Sequence, residues 1–270
     1  MAAELVQLYD TVGPRGVGAL DTARTVAPIT RSDERLLPVA DEFAPLLAQP
    51  GIVRGSVLAT QGPGALTLAT ALAAEASRAG GWTAAVGLGR MGISAVAERG
   101  ASLDRWAFVD HPGDATAEVL NALIGSVDVI LLAGSVRMAA AHSRRLRARL
   151  RERGTAVIEV AEPGPARQHH GNAFSPDVTV AVERAAWTGL GQGHGRIRAR
   201  RAEVVAAGRG AASLPRRAVL WLPDSDGRIT PVRGAISTVG FDRPAPVDLS
   251  QAGVDPTDPS VTFLPQRRAG

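Results

Sequence analysis

Short apolar runs rich in β-branched residues alternate along the first 160 residues with alanine-rich stretches of helical periodicity. The runs predict strands at 56–61, 83–86, 106–109, 127–132 and 155–160. The stretches between them predict helices at 66–80, 94–99, 115–124 and 138–153. This alternation is typical of a parallel sheet with crossover helices, and the continuous run VDVILL predicts a central strand covered on both faces.

The pattern changes after residue 160. Residues 161–176 predict a loop, and 178–183 and 196–205 predict two strands joined by the glycine-spaced GLGQGHG, which pair antiparallel at the sheet edge. A short strand is predicted at 218–222. We therefore expect an N-terminal extension at 1–35 with a helix at 2–9, an α/β core at 36–222, and a Pro/Asp-rich, largely disordered, flexible tail at 223–270.

The composition excludes several kinds of chemistry. All thirty basic residues are arginine, and the 270-residue chain contains neither lysine nor cysteine. The absence of lysine excludes a Walker A lysine, a Schiff base and a lysine general base. The absence of cysteine excludes disulfides, thiolate nucleophiles and cysteine-ligated clusters. Tyr9 is the single tyrosine, so a tyrosine–lysine reductase dyad is also excluded. A binding protein is favoured over an enzyme.

Positive charge is concentrated in one region of the chain. Residues 137–217 hold sixteen arginines and six acidic residues, a net charge of +10, whereas the remaining residues sum to −6. The first residues do not form a basic segment followed by an apolar stretch, and no run of eighteen apolar residues occurs. These features predict a cytoplasmic protein without a signal peptide or membrane span.

Two glycine patterns are candidate nucleotide sites. Gly87, Gly89 and Gly92 form a G-x-G-x-x-G sequence after a predicted strand, with Asp110 about twenty residues later, as in dinucleotide-binding domains. A complete strand–loop–helix unit precedes this sequence, which favours turn glycines. The loop of that first unit contains Gly62, Gly64 and Thr67 in the place of a phosphate loop, but it is short and has no cation.

Arginines dominate the predicted helix at 138–153. Ala139, Ser143, Leu146 and Leu150 fall at core-facing spacing, so the arginines are expected on the exposed face, either solvated or in contact with DNA phosphate or an acidic partner. Arg196, Arg198 and Arg200 alternate along a predicted strand, so they are expected to project from one exposed face of it. The predicted DNA- or partner-binding residues are Arg144, Arg145, Arg147, Arg149, Arg151, Arg153, Arg167, His169 and His170. Neither His169 nor His170 has a partner at metal-ligand spacing, so no metal site is predicted. No cofactor is expected either.

The order of these parts resembles the RecA core over about residues 35–205. PGIVRGSVLATQGPGALTLATALAAEA is similar to a glycine turn, first strand, phosphate loop and helix. RGASLDRWAFVDHPGDATAEVLNALIGSVDVILLAGSV is similar to the following segment up to the Walker B strand. The resemblance places Ala133 and Gly134 at the Walker B aspartate, Gly89 and Arg90 at the catalytic glutamate, and Glu162 at the nucleotide-sensing glutamine. In RecA, DNA-binding loops follow; the first is almost deleted here, and 162–176 corresponds to the second.

A RecA core without its ATPase residues resembles the actinobacterial ImuA-prime type, an accessory protein of the damage-induced mutagenesis cassette. The resemblance implies a non-catalytic adaptor in translesion synthesis, associated with the nucleoid after DNA damage. It implies an inactive Y-family polymerase homologue (ImuB-like) and an error-prone C-family polymerase as partners, with single-stranded DNA as a further ligand. Two alternatives remain open: an NAD(P)-dependent oxidoreductase that uses Gly87, Gly89 and Gly92, and a stand-alone DNA-binding protein.

Overall fold

The computed structural model describes residues 35–161, 173–190, 195–238 and 262–263. The strands are β1 (Leu36–Leu37), β2 (Ile52–Val53), β3 (Val57–Gln61), β4 (Thr83–Val86), β5 (Trp106–Val109), β6 (Val129–Ala133), β7 (Ala156–Val160), β8 (Val178–Leu190), β9 (Gly195–Gly208), β10 (Arg216–Trp221), β11 (Thr230–Thr238) and β12 (Thr262–Phe263). The α-helices are α1 (Ala65–Arg78), α2 (Ile93–Glu98), α3 (Thr116–Leu123) and α4 (Ala140–Arg153).

One large, mostly parallel sheet organises the described residues. Its strand order is β11-β10-β9-β8-β3-β7-β6-β4-β5, and β12 pairs with β8 outside this path. The strands from β8 to β5 in this order are mutually parallel, whereas β9, β10, β11 and β12 pair antiparallel. The predicted α/β class, with antiparallel strands on one side of a mostly parallel sheet, is confirmed.

Alternate residues of the central strands face opposite helical layers. In β6, Val129 and Leu131 pack in the same apolar cluster as α1 and α2, whereas Ile130 and Leu132 pack in the cluster that contains residues of α3 and α4. All five residues of β6 are at most 1% exposed. This double burial explains why the strand is a continuous apolar run rather than an alternating one, as VDVILL predicts.

The parallel part of the sheet follows the sequence prediction closely. β4 and β5 have the predicted bounds, and the other core elements shift by one or two residues at their ends. The arginine helix begins at Ala140 instead of residue 138, with Ala139 as an extended N-cap. It ends at Arg153, and the C-cap Gly154 has a left-handed φ of 73° and donates its N–H to the Leu150 carbonyl.

The antiparallel part is larger than predicted. β8 and β9 have thirteen and fourteen residues, longer than the predicted strands at 178–183 and 196–205. They do not form the sheet edge as a pair, because β10 and β11 extend the sheet beyond β9. β11 lies in the segment for which a disordered tail was predicted. The prolines and aspartates of that segment led to the prediction of disorder, although it also contains β-branched residues that favour a strand, among them Val232, Ile236 and Thr238.

The β8–β9 hairpin projects beyond the carboxyl end of β3. β3 pairs with β8 only from Leu58↔Val178 to Gln61↔Ala181, and β8 continues to Leu190. β10 pairs with β9 only up to Trp221↔Arg201. The hairpin therefore extends past the loop that follows β3.

The predicted helix at 2–9, residues 162–172 and the tail beyond residue 238, apart from β12, lie outside the described residues. Within the described ranges, no helix has the length and apolarity needed to cross a bilayer.

Candidate functional site

The loop between β3 and α1 depends on two glycines in left-handed conformations. Gly62 has φ of 85° and Gly64, the N-cap of α1, has φ of 84°. A Cβ on Gly62 would collide with the carbonyl oxygen of Val182, so the loop lies directly against β8. The glycines therefore allow both the turn and the close approach of the hairpin backbone.

The first turn of α1 presents backbone donors without a side-chain cap. The N–H of Ala65 donates to the Gly62 carbonyl at 3.1 Å, and that of Leu68 donates to the Gly64 carbonyl at 3.0 Å. The N–H groups of Leu66 and Thr67 lie between these two and receive no acceptor from the described residues. No acidic residue occurs in this turn. The first turn therefore contains no carboxylate that could balance the positive end of the helix dipole.

Arg200 of β9 reaches this loop from the hairpin. A Cβ placed on Gly64 would lie 2.5 Å from Cζ of Arg200, so the guanidinium is packed directly against the helix N-cap. Its Nε donates to the Leu222 carbonyl at 2.6 Å, and its Cζ lies 5.2 Å from the centroid of the Trp187 ring. These contacts hold the guanidinium at the beginning of α1.

The guanidinium of Arg200 is buried and incompletely paired. The residue is 6% exposed, and its buried Nη2 has no hydrogen-bond partner among the residues that the structure describes. Burial lowers the pKa of Arg200 to about 10, and the nearby positive charge of Arg99 acts in the same direction. The group remains protonated at neutral pH, so a cation lies at the positive end of a helix.

Arg200 was predicted to share an exposed strand face with Arg196 and Arg198. The structure separates them: Arg196 and Arg198 are exposed, whereas Arg200 is buried. The alternation along the strand was correct, because all three lie at alternate positions of β9. No local pattern indicates the burial of Arg200, because its contacts come from distant segments: Gly64 at the N-cap of α1 and Leu222 just after β10.

A second buried charged group, Glu159 of β7, was not among the predicted site residues. It is 2% exposed, its Oε1 accepts from the Phe174 N–H at 2.7 Å, and its buried Oε2 has no partner in the described part of the chain. Burial raises the pKa of Glu159 to about 7; hydrogen bonds from the Phe174 and Ala173 backbone and the charges of Arg147 and Arg137 partly offset this rise. The Glu159 carboxyl group thus holds the backbone at Phe174 against β7.

The end of β6, where the RecA resemblance places the Walker B aspartate, has no carboxylate. Ala133 is 1% exposed, and Gly134 donates its N–H to the Val160 carbonyl at 2.7 Å. A Cβ on Gly134 would lie 2.6 Å from that carbonyl oxygen. The local backbone therefore excludes any side chain at Gly134, including an aspartate.

The arginine helix α4 presents two kinds of arginine. Leu146 and Leu150 are buried as predicted, whereas Ala139 is exposed and Ser143 half-buried. The exposed arginines are Arg144, Arg145, Arg151 and Arg153.

The other two arginines of α4 make contacts within the protein. Arg147 forms an ion pair with Asp177, whose carboxylate also accepts from the Val57 N–H at 2.9 Å. Arg149 donates to the side-chain oxygen of Asn121 at 2.8 Å. Only four of the six arginines are therefore available to a ligand in this conformation. Arg167, His169 and His170 lie outside the described residues.

The glycines of the dinucleotide-like sequence lie in the turn after β4. Gly87 has φ of 74°, and Gly92 is the N-cap of α2, which has only six residues. A Cβ on Gly89 would lie 3.3 Å from Cβ of Asp110, so Gly89 allows the close approach of the β5 end. The sheet also contains β3, which precedes this unit, as predicted.

No group of three or more potential metal ligands occurs in the described ranges. A cavity of about 300 Å³ is lined mainly by apolar residues near β2 and the start of β3. Among the predicted site residues that the structure describes, Arg151 lines this cavity.

Comparisons with known proteins match part of the chain. Residues 45–166 are similar to the MT3502 N-terminal domain family. Uncharacterized protein Rv3395c of Mycobacterium tuberculosis is 35% identical over 96 residues, which cover 35% of this chain and 47% of that protein. The matched region thus spans about half the length of this relative. A crystal structure of the RadB recombinase aligns with 13% identity and a TM-score of 0.49, and the alignment covers 70% of this chain and 95% of that one.

Proposed function

We propose that this protein is a RecA-like adaptor that does not hydrolyse ATP and that acts in DNA-damage-induced translesion synthesis. The observation that carries the proposal is the β3–loop–α1 unit inside the mostly parallel sheet, in a chain that contains no lysine. The unit has the place of a phosphate loop, but the cation packed against its N-cap is Arg200 from the hairpin. A phosphate loop that catalyses hydrolysis requires its own lysine and a carboxylate for magnesium.

The end of β6 supports the non-catalytic part of the proposal. At Gly134 the Val160 carbonyl leaves no room for a magnesium-binding side chain, and the neighbouring Ala133 is a buried alanine without a ligand group. An oxidoreductase that uses Gly87, Gly89 and Gly92 receives less support, because the helix that follows these glycines has six residues and a short helix has a weak dipole.

The partners come from the resemblance to ImuA-prime proteins. They are an inactive Y-family polymerase homologue and an error-prone C-family polymerase, which the adaptor would join on damaged DNA at the nucleoid. The four exposed arginines of α4 are the surface that we assign to these contacts. They also favour the second candidate function, binding of single-stranded DNA without a partner.

Co-expression tests the adaptor proposal. The tagged full chain should co-purify with an ImuB-like protein after nuclease treatment, which removes bridging DNA, and it should not co-purify with a Y-family polymerase that is catalytically active. Retention of both proteins, or of neither, would contradict a specific adaptor.

A separate assay tests the absence of catalysis. ATP turnover by the purified chain should equal that of a Thr67→Ala variant and of buffer. Turnover that Thr67→Ala abolishes would overturn the non-catalytic assignment, since it would locate an active site in the loop.

A further inference from the structure

We propose that the beginning of α1 and Arg200 together form a binding site for a phosphate group, in which the hairpin supplies the cation that the loop lacks. The proposal is independent of the adaptor role. Three observations support it: the uncapped N–H groups of α1, the buried guanidinium packed against the N-cap, and the absence of a counter-ion in the described part of the chain.

The helix N-terminus supplies directional donors. Within the described ranges, the N–H groups of Leu66 and Thr67 have no acceptor, and they lie at the start of a helix of fourteen residues. Free N–H groups and the positive end of a helix dipole together favour an oxyanion. Thr67 is half-buried in the same turn and adds a hydroxyl donor.

Arg200 supplies the charge. Its Nη2 is shielded from water and has no acceptor in the described structure, which is costly for a charged donor. In the described residues no carboxylate pairs with it, and Arg99 adds positive charge nearby. An oxyanion at the N-cap would satisfy the helix donors and the guanidinium at once, and a guanidinium forms strong charge-assisted hydrogen bonds with phosphate.

The geometry also defines how a ligand enters and how Arg200 is held. Gly62 and Pro63 are exposed, so a ligand would reach the site from the loop side. The Nε bond to the Leu222 carbonyl and the contact with Trp187 fix the guanidinium before any ligand arrives. A preorganised cation loses less conformational entropy on binding than a flexible one.

Phosphate titration of the isotopically labelled full chain tests the site directly. At constant ionic strength, millimolar inorganic phosphate should shift the backbone amide resonances of Gly64, Leu66 and Thr67, whereas chloride should not. ATP without magnesium forms the second arm of the test. Stronger binding of ATP at the same amides would identify a nucleotide as the source of the phosphate group, and equal binding would identify phosphate alone. Absence of shifts at these amides with both ligands would overturn the proposal.

Variants identify the cation. Arg200→Gln should weaken phosphate binding by about tenfold or more, because it removes a charge-assisted hydrogen bond. Arg200→Lys should retain part of the affinity. Arg198→Gln is the matched control, since Arg198 is exposed on the same strand, and it should bind as the wild type does. Equal affinity of folded Arg200→Gln and wild type would exclude Arg200. If Arg200→Gln does not fold, the amide shifts of the wild type still decide between binding and no binding.

Discussion

Glu159 is a buried carboxyl group whose charged form opposes folding at neutral pH. Its pKa is raised from 4.5 to about 7, so the folded protein keeps a proton that the unfolded chain has already released between these values. The stability of the wild type should therefore fall as pH rises through this window, and the full cost should be present above it.

The Glu159→Gln variant removes this dependence, because an amide stays neutral and its oxygen can still accept the Phe174 N–H. The unfolding free energy of the variant minus that of the wild type should increase with pH, by up to about 3 kcal/mol across the window. Urea unfolding at a series of pH values measures the difference. Glu118→Gln, which changes an exposed carboxylate, is the control. A difference that stays constant with pH would contradict the assignment.

At the scale of elements, α4 carries two arginines that bond within the protein and four that are exposed to a ligand. Replacing Arg144, Arg145, Arg151 and Arg153 by alanine should weaken binding to single-stranded DNA, because these side chains no longer neutralise phosphates. The slope of log K against log salt should fall by about 0.7 for each phosphate that the variant leaves unneutralised. Fluorescence anisotropy across a range of salt concentrations measures both quantities.

Two controls make this experiment specific. Replacing Arg35, Arg78, Arg90 and Arg228, which are exposed outside α4, removes the same charge and should leave a steeper slope than the helix variant. Arg147→Ala should instead lower stability, because it leaves Asp177 without its ion-pair partner. An identical slope for the two quadruple variants would show that α4 makes no special DNA contact.

The elements differ in how far the sequence predicts them. In the parallel half, burial on both faces makes each strand a continuous apolar run, as in Val129–Ala133, so the local pattern suffices. In the antiparallel half, β8 continues past residue 183 because its residues from Arg184 to Leu190 pair with β9, and a pairing between two segments is not contained in the local pattern of either one. The same reason explains the site. Gly62, Gly64 and Thr67 could be found from their spacing, but Arg200 and Glu159 could not, because burial of a charge is set by distant segments.

At the scale of the whole molecule, β11 is part of the sheet although it lies beyond the predicted core boundary at residue 222. It pairs with β10 along almost the full length of that strand. A chain ending at residue 222 would expose the backbone donors and acceptors of β10 at a new edge.

Two truncations test this boundary. The chain ending at residue 238 retains β11, whereas the chain ending at 222 does not. The shorter chain should have the lower melting temperature and a greater tendency to self-associate, as measured by thermal unfolding and size-exclusion chromatography. Equal stability of the two truncations would contradict a structural role for β11.

The close approach of Gly64 and Arg200 ties two positions together that are far apart in the chain. Any side chain at position 64 would occupy the volume of the guanidinium, and glycine is also favoured there by its left-handed φ. Among relatives that diverge from this protein, the two positions should consequently change in concert. A lineage that replaces Gly64 is expected to carry a smaller residue in place of Arg200, and a lineage that retains the arginine is expected to retain the glycine.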